Sequence, residues 1–419
     1  MMPIMSVDPG YLPWLPSRDA YIEYFEGYSG VVDAAKPARS SRKPVKTYML
    51  ETVAHGMSIP ALATVLPSEV LLERVDDQMH RVRDARHGGE VIGLLEELDV
   101  RHPVLYTTMS AQESDKWVRT TVDSNPWLDR LWLSSTILYE LWQYVQRTVP
   151  PHRYIRLGFE HEARYEVSNL LVSEIEAGSD EAESEEEDDA TGIYVERRRS
   201  RVQLSERLGV LRERLPQLTS LYNPLNSLVQ LQIPGGGRGG HLLHFDGKAT
   251  NRSDSFLEHR ATVNHVLRLY KGATEAAERR LWTDSTEADG DGFRIEGAPV
   301  LLRFRDPLDV ATFNRFVDLG LRRRTSRFRI GGFVQRRGES KVQLAAIDRH
   351  LWQPFLMEAT TKQLSAVLPS GTCGNTIHRL VTNVQRYLDP DIEVWLGGTS
   401  YNEVVTDSLA APVAASSRW

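Results

Sequence analysis

Two apolar segments separated by a glycine-rich break constrain the fold of this chain more than any other feature. The stretch SLVQLQIPGGGRGGHLLHFDGKAT spans residues 227–250. Successive side chains of a strand point to opposite faces, so Val229, Leu231 and Ile233 would share one apolar face. We therefore predict two adjacent strands at 227–233 and 241–248, joined by the glycine-rich loop.

The second predicted strand ends on an acid and a lysine two residues apart. On one strand Asp246 and Lys248 would share a face, about 7 Å from each other. A carboxylate in this place can hold Mg²⁺, which activates water and polarises a phosphate, while a lysine stabilises the developing charge. The same residues also suit a plain structural interpretation, since Asp-Gly is a common turn pair and Lys248 would then be a solvated surface residue.

The region around this pair resembles a nuclease core. The stretch NPLNSLVQLQIPGGGRGGHLLHFDGKA resembles the core motif of the PD-(D/E)XK nuclease superfamily, and its Asp-Gly-Lys end is similar to the nuclease subunits of McrBC-type restriction systems. The upstream segment STILYELWQYVQ is similar to a helix of those relatives, which implies that Glu140 is a helix carboxylate. The resemblance extends from Thr136 to Lys271.

The resemblance implies a catalytic set of Asp246, Lys248, Glu140 and Asn226, with Mg²⁺ held by Asp246 and Glu140. Asn226 departs from the family pattern, because it stands where the first-strand acid is expected and its amide brings no charge. Either another acid completes the site, or the domain is inactive, or the match is coincidental. Glu140 also suits a simpler role as a polar residue on an amphipathic helix.

An arginine cluster near the C-terminus is a second functional signal. Its seven members, with phenylalanines interleaved, are Arg322, Arg323, Arg324, Arg327, Arg329, Arg336 and Arg337. Such a cluster can follow a phosphate backbone. Arginine is equally suited to structural ion pairs, and this chain has many acids to pair with. Both interpretations are open, and the strand predicted here would place Arg327 and Arg329 on one face.

An acidic run divides the chain. Residues 176–192 hold nine acids and no base, so the net charge of −7 becomes −7 + 9 = +2 without them. Such a segment has no large apolar side chain to offset its ordering entropy, and we predict a disordered linker that offers a binding segment for a protein partner.

The single cysteine, Cys373, excludes a disulfide within the chain and favours a reducing compartment. Its loop-like neighbours favour a structural thiol over a nucleophile. No apolar run approaches the roughly 18 residues that span a bilayer, and the N-terminus lacks a signal-peptide pattern. These observations predict a cytoplasmic protein without a membrane partner.

The order of the predicted elements indicates a mixed α+β chain of several domains. Two amphipathic helices are expected over residues 67–98, a basic helix over 196–218, a helix beginning at about 255 from the Ser255/Glu258 capping box, and a further helix over 351–368. The predicted divisions are an N-terminal mixed α/β region 1–110, a helical segment 111–175, the linker 176–192, a nuclease-like core 193–285, a ferredoxin-like βαββαβ region 297–398 with an extra helix, and a flexible tail 401–419.

Two classes of function follow from these features. The first is a metal-dependent hydrolase, a nuclease or an inactive derivative of one, that acts on DNA in restriction or genome defence. The second is a non-enzymatic scaffold or assembly subunit that binds nucleic acid through the arginine cluster near the C-terminus and a second one, ERRRSR at 196–201, and uses the acidic linker to regulate binding or recruit a partner. The sequence does not distinguish DNA from RNA as the partner.

Overall fold

The computed structural model describes residues 10–31, 43–166, 199–288, 292–322 and 327–410. The predicted linker 176–192, together with Arg323, Arg324 and residues 411–419, lies outside this part of the chain. The helices of the described part are α1 Arg18–Val31, α2 Ile59–Ala63, α3 Ala111–Thr121, α4 Ser135–Thr148, α5 Leu208–Leu221, α6 Phe256–Leu281, α7 Val310–Arg315 with a π-helical continuation Phe316–Leu321, α8 Asn375–Tyr387 and α9 Tyr401–Ala410.

A large antiparallel sheet occupies the first part of the chain. Its strands are β1 Lys46–Glu51, β2 Val70–Arg74, β3 Met79–Asp84, β4 Val91–Glu97, β5 Pro103–Thr107, β6 Asp129–Arg130, β7 Tyr154–Glu162, β8 Arg199–Arg207, β9 Leu228–Pro234, β10 Gly240–His244 and β11 Lys248–Asn251. They are ordered β2-β3-β4-β5-β1-β11-β10-β9-β7-β8, and the short β6 pairs with β1 off this path.

A second antiparallel sheet contains most of the C-terminal strands. These are β14 Val300–Arg303, β15 Ile330–Arg336, β16 Lys341–Asp348, β17 Gln353–Thr360, β18 Gln363–Val367, β19 Glu393–Leu396 and β20 Thr399–Ser400, in the order β15-β16-β17-β18-β14-β19-β20. A separate hairpin of β12 Asp284–Ala288 and β13 Gly292–Glu296 precedes them.

Helix α8 connects the two sheets through its side chains. All of its residues are buried. Arg386 donates to Glu160 on β7 of the first sheet, whereas Arg379 and Thr376 both donate to Asp348 on β16 of the second. The main apolar core is continuous across the predicted domain boundaries, since it includes Phe159, Leu243 and Val384.

The predicted strand pair around the glycine-rich loop is confirmed with one correction. Strands β9 and β10 pair antiparallel, and α6 begins directly after its N-cap Ser255. The second strand, however, ends at His244 rather than 248. A tight turn follows, in which the backbone N–H of Gly247 donates to the carbonyl of His244, and β11 begins at Lys248.

Two predicted helical regions are wrong. Residues 67–98 form β2, β3 and β4, and the carboxylate of Asp76 accepts the backbone N–H groups of Gln78 and Met79 in the turn between the first two. Strand β4 is buried on both faces, and a continuous apolar run does not distinguish a strand from a buried helix.

Residues 351–368 form β17 and β18 instead of a helix. Phe355, Met357 and Ala359 are buried alternately, while the exposed Leu356 produced the apparent helical spacing. The ferredoxin-like order is therefore not confirmed.

Other boundaries shift without changing the mixed α+β class. The segment predicted as one basic helix is a strand, β8, followed by α5. Residues 401–410 of the predicted flexible tail form α9, whose Tyr401, Val404 and Val405 are buried. Within the described residues, none of the helices is long and apolar enough to cross a membrane.

Candidate functional site

The predicted catalytic acid lies in the turn between β10 and β11. Asp246 accepts a hydrogen bond from Arg130 at 2.8 Å, and Arg130 also binds Asp123 at 2.6 Å. Burial raises the pKa of Asp246, but the neighbouring positive charges, that of Arg130 foremost, together outweigh burial and lower the net pKa. Asp246 is therefore an ionised carboxylate in an ion-pair network, in a turn rather than at the end of a continuous strand.

The other three predicted catalytic residues have separate partners. The ammonium group of Lys248 donates to both carboxylate oxygens of Asp115 on α3 at 2.7 Å. Glu140 on α4 accepts from Thr406 on α9 at 2.9 Å. Asn226, in a short 3₁₀ turn before β9, donates to Asp391.

In the part of the chain that the structure describes, these four residues therefore share no hydrogen-bonding partner. Among the described residues, no group of three or more histidines, cysteines and acids is placed to hold a metal ion.

The predicted arginine cluster divides into exposed and buried members. Arg322 and Arg336 are exposed and both pair with Asp318, and Arg337 donates to two glutamine side chains. Arg329 does not share a strand face with Arg327, because β15 begins only at Ile330. Instead Arg329 is buried and donates to Asp129 at 2.8 Å. We correct this part of the prediction: Arg329 contributes to the interior.

Asp129 is at the centre of a buried charge network. It also accepts from Arg379 of α8, which in turn binds Asp348 at 2.5 Å. Burial raises the pKa of Asp129, but the charges of Arg329 and Arg379, with smaller effects of His350 and Trp132, together lower it below its ordinary value. The network joins β6, α8 and β16, so these charges hold the two sheets together.

Cys373 belongs to a second buried network. Its thiol donates to Glu51 at 3.1 Å, and Glu51 also accepts from Arg101 and His102 at 2.6 and 2.8 Å. Burial raises the pKa of Cys373 well above its ordinary value, with the charge of Glu51 acting in the same direction. The protonated, buried thiol agrees with the expected structural role.

On one half of the first sheet, part of one face is polar and is not covered by any of the described helices. Near β1 and β5 this face is packed by α3, which places Trp117 and Val118 against Tyr48 and Leu105. From β11 to β8 many of the corresponding positions are polar and partly exposed, whereas Leu242, Thr250 and Glu160 on the same side are buried. We call this part the open face; its members are Tyr154, Arg156, Gln203, Ser205, Arg207, Gln230, Gln232, His244 and Arg252.

The register of the strands aligns the residues of the open face in rows across the sheet. Gly158 is the Cα partner of Gln203 on β8 and of Gln230 on β9, and Gln230 is in turn the partner of His244 on β10. The amide nitrogen of Gln230 lies 3.4 Å from Nδ1 of His244. The opposite face of β7 carries Ile155, Leu157 and Phe159 into the core, as strict alternation requires.

Two arginines on the open face have no acidic partner among the described residues. Arg156 on β7 has a buried Nε atom without a hydrogen-bond acceptor. Arg252 directly follows β11, and its pKa is lowered by burial and by the neighbouring positive charge of Arg156. Burial also lowers the pKa of His244 to about 4, so that imidazole is neutral at pH 7. The arrangement is a concentration of uncompensated positive charge suited to an anion.

The comparisons with known proteins identify the chain's family. A model of the MJECL33-like protein family matches residues 27–403. The chain belongs to this family. It is similar to an uncharacterized protein, MJECL33, of Methanocaldococcus jannaschii, with 22% identity over 408 residues that cover 91% of this chain and 94% of that protein. No solved structure matches.

The open face of this MJECL33-like chain was missed by the sequence reasoning. Arg156 and Arg252 are distant in sequence, and only the pairing of β7, β9, β10 and β11 brings them near each other. A local signal was present in β8, whose RSRVQLSER has polar and charged residues at every second position. Such alternation is typical of a strand with one solvated face.

Proposed function

We propose that this protein binds nucleic acid through the open face without cleaving it. The observation that carries the proposal is the pair Arg156 and Arg252, which lie three strands apart on one sheet face, influence each other's charge and have no acidic partner among the described residues. Like charges held together cost folding free energy unless an anion neutralises them. A phosphate backbone supplies such anions at regular spacing, and arginine binds phosphate through paired N–H groups.

The surroundings of the two arginines support a polyanion. Arg207 on the exposed edge strand β8 extends the positive charge along the same face. Gln203, Gln230 and Gln232 add neutral hydrogen-bonding groups between the charges. Phosphate contacts position a nucleic acid, whereas neutral polar side chains can meet its bases or sugars.

Salt-dependent binding tests the proposal. We expect a fluorescently labelled oligonucleotide to bind, with an affinity that falls steeply as salt rises. Arg156→Gln combined with Arg252→Gln should lower the affinity and reduce the log–log salt slope by about 0.7–0.9 for each lost phosphate contact. The matched control is Arg74→Gln, which removes a 67% exposed arginine side chain on β2 that already pairs with Asp77.

A stability measurement separates binding from structure. Because Arg156 and Arg252 repel each other, their replacement should leave the melting temperature unchanged or raise it. An unchanged salt slope in the double variant, or a large drop in melting temperature, would assign the two arginines to the fold and remove the support for the proposal.

A metal-dependent nuclease is the second candidate. It is favoured by the antiparallel pair β9–β10, which is followed by the ionised Asp246, then Lys248, then helix α6. The PD-(D/E)XK-like core, a ferredoxin-like C-terminal region and a role in restriction or genome defence belong to this hypothesis. Mg²⁺ would have to displace Arg130 from Asp246, so Mg²⁺-dependent cleavage that Asp246→Ala abolishes would favour it over binding alone.

A further inference from the structure

The open face combines its positive charges with an exposed aromatic side chain. Tyr154 precedes Arg156 by two residues on β7, so both lie on the same face about 7 Å apart. Tyr154 is 60% exposed. Its Cα partner across the strand pair is Arg207, whose guanidinium carbon lies 6.0 Å from the centroid of the tyrosine ring.

The width of the open face limits the form of nucleic acid that it can read. It extends over five neighbouring strands, β8-β7-β9-β10-β11. With strands about 4.8 Å apart, the face is about 19 Å wide. The major groove of B-DNA, about 12 Å wide, admits a helix or a two-stranded ribbon. A duplex would therefore touch this face only through its phosphates, and the tyrosine and glutamines would have nothing to bind.

A single strand has no such restriction. Its bases can be turned towards a flat surface, stacked on aromatic rings and bound along their polar edges. Tyr154 offers a ring with an arginine beside it, and Gln230 with the neutral His244 offers hydrogen-bonding groups one and two strands away. The open face therefore offers contacts for both the base and the phosphate of an unpaired nucleotide.

We propose that the open face binds single-stranded nucleic acid, with a base stacked on Tyr154 and an adjacent phosphate held by Arg156 and Arg252. This inference rests on the proposed function and deepens it by naming the form of the ligand. The partial protection of Tyr154 by Arg207 agrees with it, because a cation beside the ring also strengthens stacking of a base.

Fluorescence anisotropy on the full chain tests the inference. The probes are labelled oligothymidylate and oligouridylate of about 15 nucleotides, near the upper site size of single-strand-binding domains, and a duplex of the same length. We expect either single strand to bind more tightly than the duplex, and the DNA and RNA arms show which sugar is preferred. Tyr154→Ala should weaken single-strand binding by about 5- to 150-fold, the range expected for one stacked base.

Three controls keep the result specific to stacking. Tyr154→Phe retains the ring and should bind as the wild type does. Tyr222→Ala removes another exposed tyrosine, at the end of α5 and away from the open face, and should have no effect. Tyr154→Ala should also leave the salt slope unchanged, because stacking releases no counterions.

The outcomes distinguish the inference from the function on which it rests. Equal or tighter duplex binding, or single-strand binding that Tyr154→Ala leaves unchanged, overturns the single-strand inference, while the effect of the arginine variants would still support nucleic-acid binding. If none of the probes binds at low salt, the proposed function fails and the inference fails with it.

Discussion

Replacing Asp129 with asparagine should severely destabilise the fold. The substitution keeps the size of the side chain but removes the negative charge that faces Arg329 and Arg379. Both arginines are buried, and of the acids that the described part of the chain places beside them, Asp348 would remain to compensate them. Removing one member of a buried charge network typically costs about 3–5 kcal/mol, because an uncompensated charge stays in the interior.

Urea unfolding measures this loss directly. Trp132, whose indole N–H donates to Asp129 at 3.3 Å, places a fluorescence reporter beside the network, and circular dichroism gives an independent probe. Coincident transitions by the two methods justify a single unfolding free energy. The matched control is Asp77→Asn, which breaks an ion pair whose side chains are 67% and 87% exposed and should cost less than about 1 kcal/mol. If Asp129→Asn cost no more than this control, the network would not hold the sheets together.

For two further substitutions we expect a definite direction of the change in folding stability. Gly247→Ala should destabilise more than Gly88→Ala: both glycines have positive φ, at 74° and 68°, but only at Gly247 would a Cβ atom meet backbone oxygens within 3.0 Å. Thermal melts of the two variants measure the difference. Equal decreases in melting temperature would contradict the close approach of backbone oxygens to Gly247. His102 is buried between Glu51 and Asp99, which raise its pKa despite burial. A raised pKa stabilises the fold fully below the unfolded value of about 6.5 and less as pH rises through the folded value. The difference in unfolding free energy between wild type and His102→Gln should therefore shrink above about pH 6.5, and a difference that grows with pH would refute the assignment of charge.

Short-range patterns in the sequence correctly predicted a strand and the start of a helix. The alternation in residues 227–233 predicted β9, and the Ser255/Glu258 pair predicted the start of α6. Both signals depend on neighbours within a few residues, which a strand or a helix cap uses directly. The mixed α+β class follows from the presence of both kinds of pattern.

The same local reasoning failed where burial on both faces removed the alternation. Residues 67–98 carry enough apolar side chains to imitate a helical stripe, but they form the edge strand β2 and the inner strands β3 and β4 of the first sheet. An apolar run shows that a segment is buried and not which backbone it adopts. The strand that pairs with β4 from outside this segment is β5, and it cannot be read from the pattern of residues 67–98.

The roles of charged residues were decided by tertiary structure alone. The sequence placed Asp246 and Lys248 together as a catalytic pair, whereas the fold gives each a separate partner of opposite charge, Arg130 and Asp115. Conversely, nothing in the sequence linked Arg156 with Arg252, which sheet pairing brings together. A charge interacts with whatever lies within a few ångströms, and for strands distant in sequence that neighbourhood exists only after the sheet has formed.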